Sequence, residues 1–152
     1  MQNKVDLRMI KDDMLRSHTR NIFKDDQDSA LVADIPEIQS VAAEIEQKRI
    51  ERGATSGFER LYHRVTTEYF GGMYRVLEQI DQVLVPGGKI ALVVGDQMSY
   101  FQVPIRTAEL LQLIAQRKLG YTKSTIIVFR TRKATATRTD VEEHTLILEK
   151  PI

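Results

Sequence analysis

The stretch V-L-V-P-G-G-K-I-A-L-V-V-G-D, residues 83–96, is the most informative part of the sequence for the fold. It contains the end of a helical pattern, a Pro-Gly-Gly turn, five consecutive apolar residues at 90–94 and a Gly-Asp tip. An unbroken apolar run is typical of a strand covered on both faces, as in the parallel sheets of α/β proteins. The sequence therefore predicts an α/β fold in which this run is a central, parallel strand.

Length and composition are those of an ordinary globular domain. The chain has 152 residues, which is about one domain, and its net charge of +1 predicts no bulk attraction to nucleic acid or membrane. The absence of cysteine excludes disulfides and thiolate metal sites. No apolar run approaches the roughly 20 residues that span a bilayer, and the polar opening is not a secretion signal. We expect a cytoplasmic protein with no membrane contact.

The residues before the stretch predict helices. Asp34 and Glu37 have capping-box spacing at the start of one helix, which the sequence G-A-T-S-G at 53–57 ends. A longer helix is predicted from about Phe58 to Leu84. It is interrupted at Gly71-Gly72 unless close packing explains the two glycines.

The residues after the stretch predict a helix and a hairpin. Apolar spacing from Thr107 indicates an amphipathic helix that ends at Gly120. Two β-rich runs, Thr122 to Phe129 and Glu143 to Leu148, predict an antiparallel hairpin whose long polar join forms an exposed, mobile tip. The chain thus divides into a helical region at 1–57 and an α/β region at 58–152.

Aromatic and basic residues offer candidates for nucleic-acid contact. The aromatic residues at helical spacing are either a surface for stacking bases or part of the core, and their aliphatic neighbours favour the core: Tyr62, Tyr69, Phe70 and Tyr74. The basic residues that alternate near the amino end or cluster in the hairpin are either phosphate contacts or a solvated surface: Arg16, His18, Arg20, Arg130, Arg132, Lys133 and Arg138.

Motifs for catalysis are mostly absent. The three histidines lack ligand spacing, so no metal site is predicted, and the sequence has neither G-x-G nor G-x-S-x-G. Asp96 is the best single candidate because open α/β sheets bind ligands at the carboxyl ends of their strands. The alternative is that Asp96 caps a turn.

The stretch at 83–96, the later V-P-I and L-G-Y, and the closing E-E-H-T-L-I-L-E-K-P together resemble a known family. They resemble the carboxyl-terminal half of a class I methyltransferase that uses S-adenosylmethionine (SAM). The likeness is strongest to DNA methyltransferases acting on the amino group of adenine or cytosine. The R-S-H-T-R segment also looks like an insert found in some of these enzymes, so the resemblance covers nearly the whole chain.

The resemblance implies a partial Rossmann-like sheet, SAM as cofactor of the full-length enzymes, and DNA as partner. It places Gly95 and Asp96 near the active-site edge. The family's glycine-rich loop and its loop of the type Asp/Asn/Ser-Pro-Pro-Tyr are absent from this sequence, so no catalytic residue is assigned. We do not expect this chain to bind SAM alone.

A two-faced strand with neighbours on only one side leaves an open edge, which invites association. We therefore expect the chain to be a truncated or split part of an enzyme, not catalytic by itself, that pairs with another copy or with a missing amino-terminal half. Two alternatives remain open. One is a noncatalytic module that binds nucleic acid through the basic hairpin, and the other is an interaction half-domain that completes a partner's sheet.

Overall fold

The computed structural model describes residue 17 and residues 22–134 and 138–152. Across these residues the protein has three α-helices and a three-stranded sheet, which confirms the predicted α/β class. The elements in chain order are α1 (Pro36–Glu51), α2 (Tyr62–Val83), β1 (Lys89–Gly95), α3 (Thr107–Leu119), β2 (Lys123–Lys133) and β3 (Asp140–Glu149), with 3-10 turns at Asp28–Val32 and Glu59–Leu61. None of the helices in the described part is long and apolar enough to cross a membrane.

The sheet has the order β1-β3-β2, and both pairings are antiparallel. β3 lies in the centre, with Leu146 opposite Leu92 on one side and Ile126 on the other. The prediction that β1 is a central strand with parallel neighbours is therefore wrong for the described residues. β1 and β2 do run in the same direction and are joined through α3, but the antiparallel β3 lies between them.

The two faces of the sheet differ in burial. Ile90 and Leu148 point to the face covered by α3 and are at most 6% exposed. On the opposite face Val93 is 68% exposed and Ile127 is 47% exposed. The expectation that β1 is covered on both faces is thus wrong here. An apolar run shows which side chains are hydrophobic, but not which neighbours are present to cover them.

One hydrophobic core connects all three helices to the covered face of the sheet. It includes residues from both sides of the predicted 57/58 boundary, among them Ile38 and Ile45 of α1, Phe70 and Leu77 of α2, and Leu111 and Ile114 of α3. Phe70 is fully buried, and Tyr62, Tyr69 and Tyr74 pack against this core, which agrees with the core interpretation of the aromatic residues.

The predicted capping box at the start of α1 does not form. The residue before α1 is Ile35, and no side chain caps the helix. The carboxylate of Glu37 accepts two hydrogen bonds of 2.6 Å from Arg117, and that of Asp34 accepts one of 2.6 Å from Lys118. These acidic side chains instead join the start of α1 to the end of α3. Acids at a helix start and bases at a helix end also suit the two helix dipoles.

Helix α2 runs without interruption through Gly71 and Gly72. A Cβ atom at Gly71 would lie 1.8 Å from the backbone oxygen of Asp28, so the 3-10 turn at Asp28–Val32 approaches α2 more closely than any side chain permits. The buried carboxylate of Glu68 lies beside this contact and accepts a 2.7 Å hydrogen bond from the Ser29 N–H. Close packing, not an interruption of the helix, explains the glycine at 71.

Both strands of the predicted hairpin extend further than the sequence indicated, while α3 ends as predicted at Gly120, which has φ of 73°. β2 continues to Lys133 and β3 begins at Asp140, with a register shift near Val128 to Arg130. Half of the predicted polar join is therefore strand, residues 130–133 and 140–141. Its charged side chains prevented recognition of the strands, although cross-strand ion pairs favour pairing there.

Candidate functional site

A loop, residues 96–106, joins the carboxyl end of β1 to α3. The Asp96 N–H continues the sheet by donating to the Glu142 oxygen at 2.9 Å. The Asp96 carboxylate then accepts a 3.1 Å hydrogen bond from the N–H of Thr107, the first residue of α3. Asp96 therefore caps a helix that begins eleven positions later, a role that satisfies one of the N–H groups that helix starts leave free.

His144 of β3 is the nearest titratable neighbour of Asp96. Its Nδ1 lies 3.6 Å from the Asp96 Oδ1, beyond hydrogen-bond distance, and its Nε2 lies 3.2 Å from the Glu142 Oε2. Burial raises the pKa of the Asp96 carboxyl, and nearby Glu109 and Glu142 add to this effect. The attraction of His144 and the Thr107 hydrogen bond oppose it. The Asp96 carboxyl thus holds its proton more tightly than an ordinary aspartate.

A half-open cavity of about 320 Å³ lies next to this junction, between β1, α2 and the connection to α3. Its volume is near the lower end of small-molecule sites, which span roughly 300–1,000 Å³. Gly95 lies in its wall, whereas Asp96 does not. The lining is uncharged and consists of Val65, Thr66, Tyr69, Phe70, Val93, Val94, Gly95, Gln97, Tyr100, Ile105 and Thr107.

Two tyrosines, Tyr69 and Tyr100, line this cavity. The Tyr100 hydroxyl is buried and has no hydrogen-bond partner among the described residues. Burial, with a smaller effect from Tyr62, raises the pKa of Tyr100 to about 12. Burial also raises the pKa of Tyr69. Both side chains therefore stay protonated at neutral pH and can donate a hydrogen bond to a ligand acceptor.

The connection between β1 and α3 holds Tyr100 in place. Gln97 and Ile105 exchange backbone hydrogen bonds of 3.1 and 2.8 Å, which closes the loop at its base. The Tyr100 ring stacks on Tyr62 with centroids 4.3 Å apart. Phe101 has φ of 52°, a left-handed value that costs a non-glycine residue roughly 1–2 kcal/mol. This strained loop holds the Tyr100 side chain in the lining of the cavity, with its hydroxyl buried.

The basic residues of the hairpin are largely paired with carboxylates. Arg130 and Arg132 both donate to Glu143, at 2.9 and 3.0 Å, and Lys133 lies 3.4 Å from Asp140. Arg138 is exposed near the tip. Of the residues predicted at a mobile tip, Arg130, Arg132 and Lys133 thus lie on β2 and only Arg138 lies at the tip, and the first three have less free charge than the sequence suggested.

The other predicted contacts, Arg16, His18 and Arg20, lie outside the described residues. Sequence reasoning placed Gly95 and Asp96 near a pocket, and the structure brings Gly95 into the cavity wall. Sequence reasoning did not identify Tyr100 or Gln97 as lining residues, because they lie in a loop that carries no recognisable motif. Among the described residues, no group of three potential ligands is arranged to hold a metal ion.

Comparisons of the chain with protein-family models, with curated proteins and with solved structures gave no match.

The Asp96 cap makes a prediction for stability. Asp96→Asn keeps an acceptor for Thr107 but cannot ionise, whereas Asp96→Ala loses the acceptor and should be less stable than the Asn variant by about 1 kcal/mol. The native pKa is above the ordinary 3.8. Between these two values the native state binds more protons than the unfolded state, so wild-type stability falls as pH rises through this window.

The stability of Asp96→Asn relative to wild type should therefore increase as pH rises from about 3.8 through the native pKa, and then stay constant. Urea unfolding of wild type and both variants across this range measures the trend. A wild type that gains stability over Asp96→Asn with rising pH would contradict the burial argument.

Proposed function

We propose that this chain is the carboxyl-terminal half of a class I SAM-dependent methyltransferase domain, of the kind that modifies the amino group of adenine or cytosine in DNA, and that it is not catalytic alone. The sheet topology supports this proposal. β1 and β2 run in the same direction and are connected through α3. Doubly wound sheets commonly combine such parallel strands with an antiparallel strand toward one edge.

The cavity is the observation that carries the function. It lies at the carboxyl end of β1, where open α/β sheets bind their ligands. Its uncharged lining combines apolar side chains with the Gln97 amide and the Tyr69 and Tyr100 hydroxyls, and this combination suits a flat base that has been turned out of the duplex. We assign the cavity to the base.

The same lining does not fit SAM. The cofactor carries a sulfonium and an amino-acid group, and the cavity offers no charged side chain to either. The sequence also has no glycine-rich loop to hold it. The lining therefore favours the group that is methylated over the cofactor, and in this proposal SAM binding requires residues beyond those that the structure describes.

The proposal predicts preferential binding to DNA with an accessible adenine. Anisotropy titrations compare a fluorescent duplex carrying one adenine opposite an abasic position with the same duplex lacking that base. We expect about tenfold tighter binding to the first, a difference of about 1.4 kcal/mol. Tyr100→Phe should reduce this preference while leaving the free energy of unfolding equal or higher, because it removes an unpaired buried hydroxyl.

Calorimetric titration of the same protein with SAM should give no heat, and saturable SAM binding would contradict the assignment of a half-domain. Equal affinity for the two duplexes would reject the base site. It would leave the alternative of a noncatalytic module that contacts phosphates through the basic hairpin, for which the exposed Arg138 and the neighbouring Arg132 and Lys133 are the available groups.

Replacing Arg132 and Lys133 by alanine separates phosphate contact from base contact. The matched control replaces Lys89 and Lys123, which lie at the opposite end of the sheet and both pair with Glu149. Whether the cavity binds a base or the hairpin only contacts phosphates, the Arg132/Lys133 variant should bind both duplexes more weakly, and its affinity should depend less on salt concentration. The Lys89/Lys123 control should bind both duplexes like wild type.

A further inference from the structure

The face of the sheet that points away from α3, called the outer face below, is apolar in its middle. Residues directly opposite each other in an antiparallel pairing point to the same face, and successive residues of a strand alternate between faces. Val93 is 68% exposed and Ile127 is 47% exposed. The middle of the outer face therefore consists of two rows of apolar and threonine side chains: Val93, Thr145 and Ile127, then Ala91, Ile147 and Thr125.

Each end of the outer face carries two cations for one carboxylate. The cations lie 2.8–3.6 Å from the carboxylate that they share and are 43–70% exposed, whereas the two carboxylate side chains are 27% and 18% exposed. The two groups are Lys89, Glu149 and Lys123 at the amino end of β1, and Arg130, Arg132 and Glu143 at its carboxyl end. Both ends of the outer face are therefore positively charged.

The length of the outer face matches that of a short helix. β1 runs from Lys89 to Gly95, so the two charged ends are about 20 Å apart at roughly 3.3 Å per residue. A helix of about 13 residues has the same length at roughly 1.5 Å per residue. Helix α3, which covers the opposite face of the same sheet, has 13 residues. A partner helix of this length reaches both charged ends while its own apolar stripe covers the rows between them.

We propose that the outer face binds one amphipathic helix of another polypeptide, in which an apolar stripe lies between acidic residues at the two ends. The stripe covers the row that contains Val93 and Ile127, and the acidic residues pair with the cations that share Glu149 and Glu143. This inference goes beyond the proposed function, because it concerns the outer face of the sheet and not the ligand of the cavity.

Three other occupants fit the outer face less well. Two copies of this chain packed face to face in the aligned arrangement would bring positively charged ends together. An anionic membrane would satisfy the cations, but the two middle rows contain none of the Trp, Phe or Leu side chains that insert into lipid. Duplex DNA would contact the cations at one end, but its phosphates would gain nothing from the apolar rows.

The test uses a fluorescent, stapled helical peptide of about 14 residues, with a leucine stripe and glutamates at both ends. A second peptide, with lysine in place of each glutamate, is the control for charge. Anisotropy titrations with the full chain should show saturable binding of the acidic peptide, one per chain, and about tenfold weaker binding of the basic peptide. Equal binding of the two peptides, or no saturable binding of the acidic one, would reject the proposal.

Val93→Glu places a carboxylate in the middle of the outer face, and we expect it to weaken binding of the acidic peptide about tenfold. Val85→Glu is the matched control, because Val85 is also 68% exposed but lies outside the sheet, and it should bind like wild type. Lys123→Ala combined with Arg130→Ala leaves the apolar rows intact and should reduce the difference between the two peptides. Equal effects of Val93→Glu and Val85→Glu would place the peptide elsewhere and contradict the proposal.

The other occupants give different results. Sedimentation of the free protein as a dimer that Val93→Glu dissociates would assign the outer face to a second copy. Binding to vesicles of phosphatidylcholine and phosphatidylserine that Val93→Glu abolishes would assign it to lipid. Amide NMR shifts caused by duplex DNA that extend over Val93 and Ile127 would assign it to nucleic acid. Each of these three results would overturn the proposal, whereas peptide-induced shifts confined to the outer face would support it.

Discussion

Gly71→Ala is expected to lower the free energy of unfolding by about 3 kcal/mol, near the upper end of the usual cost of overpacking. The new Cβ would lie 1.8 Å from the backbone oxygen of Asp28 and 2.3 Å from its carbonyl carbon. Backbone cannot rotate away as a side chain can, so the 3-10 turn must move off α2. The gain of about 1 kcal/mol from replacing a helical glycine is too small to offset this.

Urea unfolding at constant pH measures the effect, with Gly57→Ala as the matched control. A Cβ at Gly57 meets no atom within 4 Å, so the control should change stability by less than about 0.5 kcal/mol. If Gly71→Ala unfolds at the same urea concentration as wild type, the close approach of the turn to α2 is wrong.

Glu68→Ala should have a comparable effect, about 3 kcal/mol. Glu68 is 2% exposed and accepts hydrogen bonds from the Ser29 N–H and from Arg64 Nε. Arg64 in turn donates to the backbone oxygens of Lys24 and Asp26. Removing the carboxylate leaves the Ser29 N–H without an acceptor. It also removes the partner of the Arg64 guanidinium, which binds the segment before the 3-10 turn.

Glu68→Gln keeps an acceptor and should lose about half as much stability as Glu68→Ala. Glu51, an exposed acid of α1 that accepts from Gln47, supplies the control, and Glu51→Ala should be nearly neutral. Similar losses for Glu68→Ala and Glu51→Ala would contradict the bonding described for Glu68. Because Glu68 and Gly71 act on the same turn, the double variant should lose less than the sum of the two.

The sequence predicted the helices and strands better than it predicted which residues pack against them. Residues 90–94 lie in a strand and Gly120 ends α3, because both depend on local pattern and backbone freedom. The apolar run could not show that Val93 faces outward, since burial depends on neighbours elsewhere in the chain. The capping spacing of Asp34 and Glu37 failed for the same reason, because side chains 80 and 84 positions away bind the carboxylates of Glu37 and Asp34.

The candidate site was predictable only in part. The rule that open α/β sheets bind ligands at the carboxyl ends of their strands pointed to Asp96, which does not line the cavity, whereas Gly95, expected near the site only from the resemblance, does. Tyr100 had no such signal, because its burial depends on the Tyr62 ring and on a loop whose left-handed residues are not glycines.

The central position of β3 has a consequence for how the protein forms during synthesis. β1 and β2 precede β3 in the chain but make no direct pairing with each other. Neither can be incorporated into the sheet until the ribosome has released residues up to Glu149. Until then the apolar side chains of both strands stay accessible to chaperones and to aggregation. The step that completes the fold should therefore be slow relative to helix formation, since it pairs Lys89 with a residue sixty positions later.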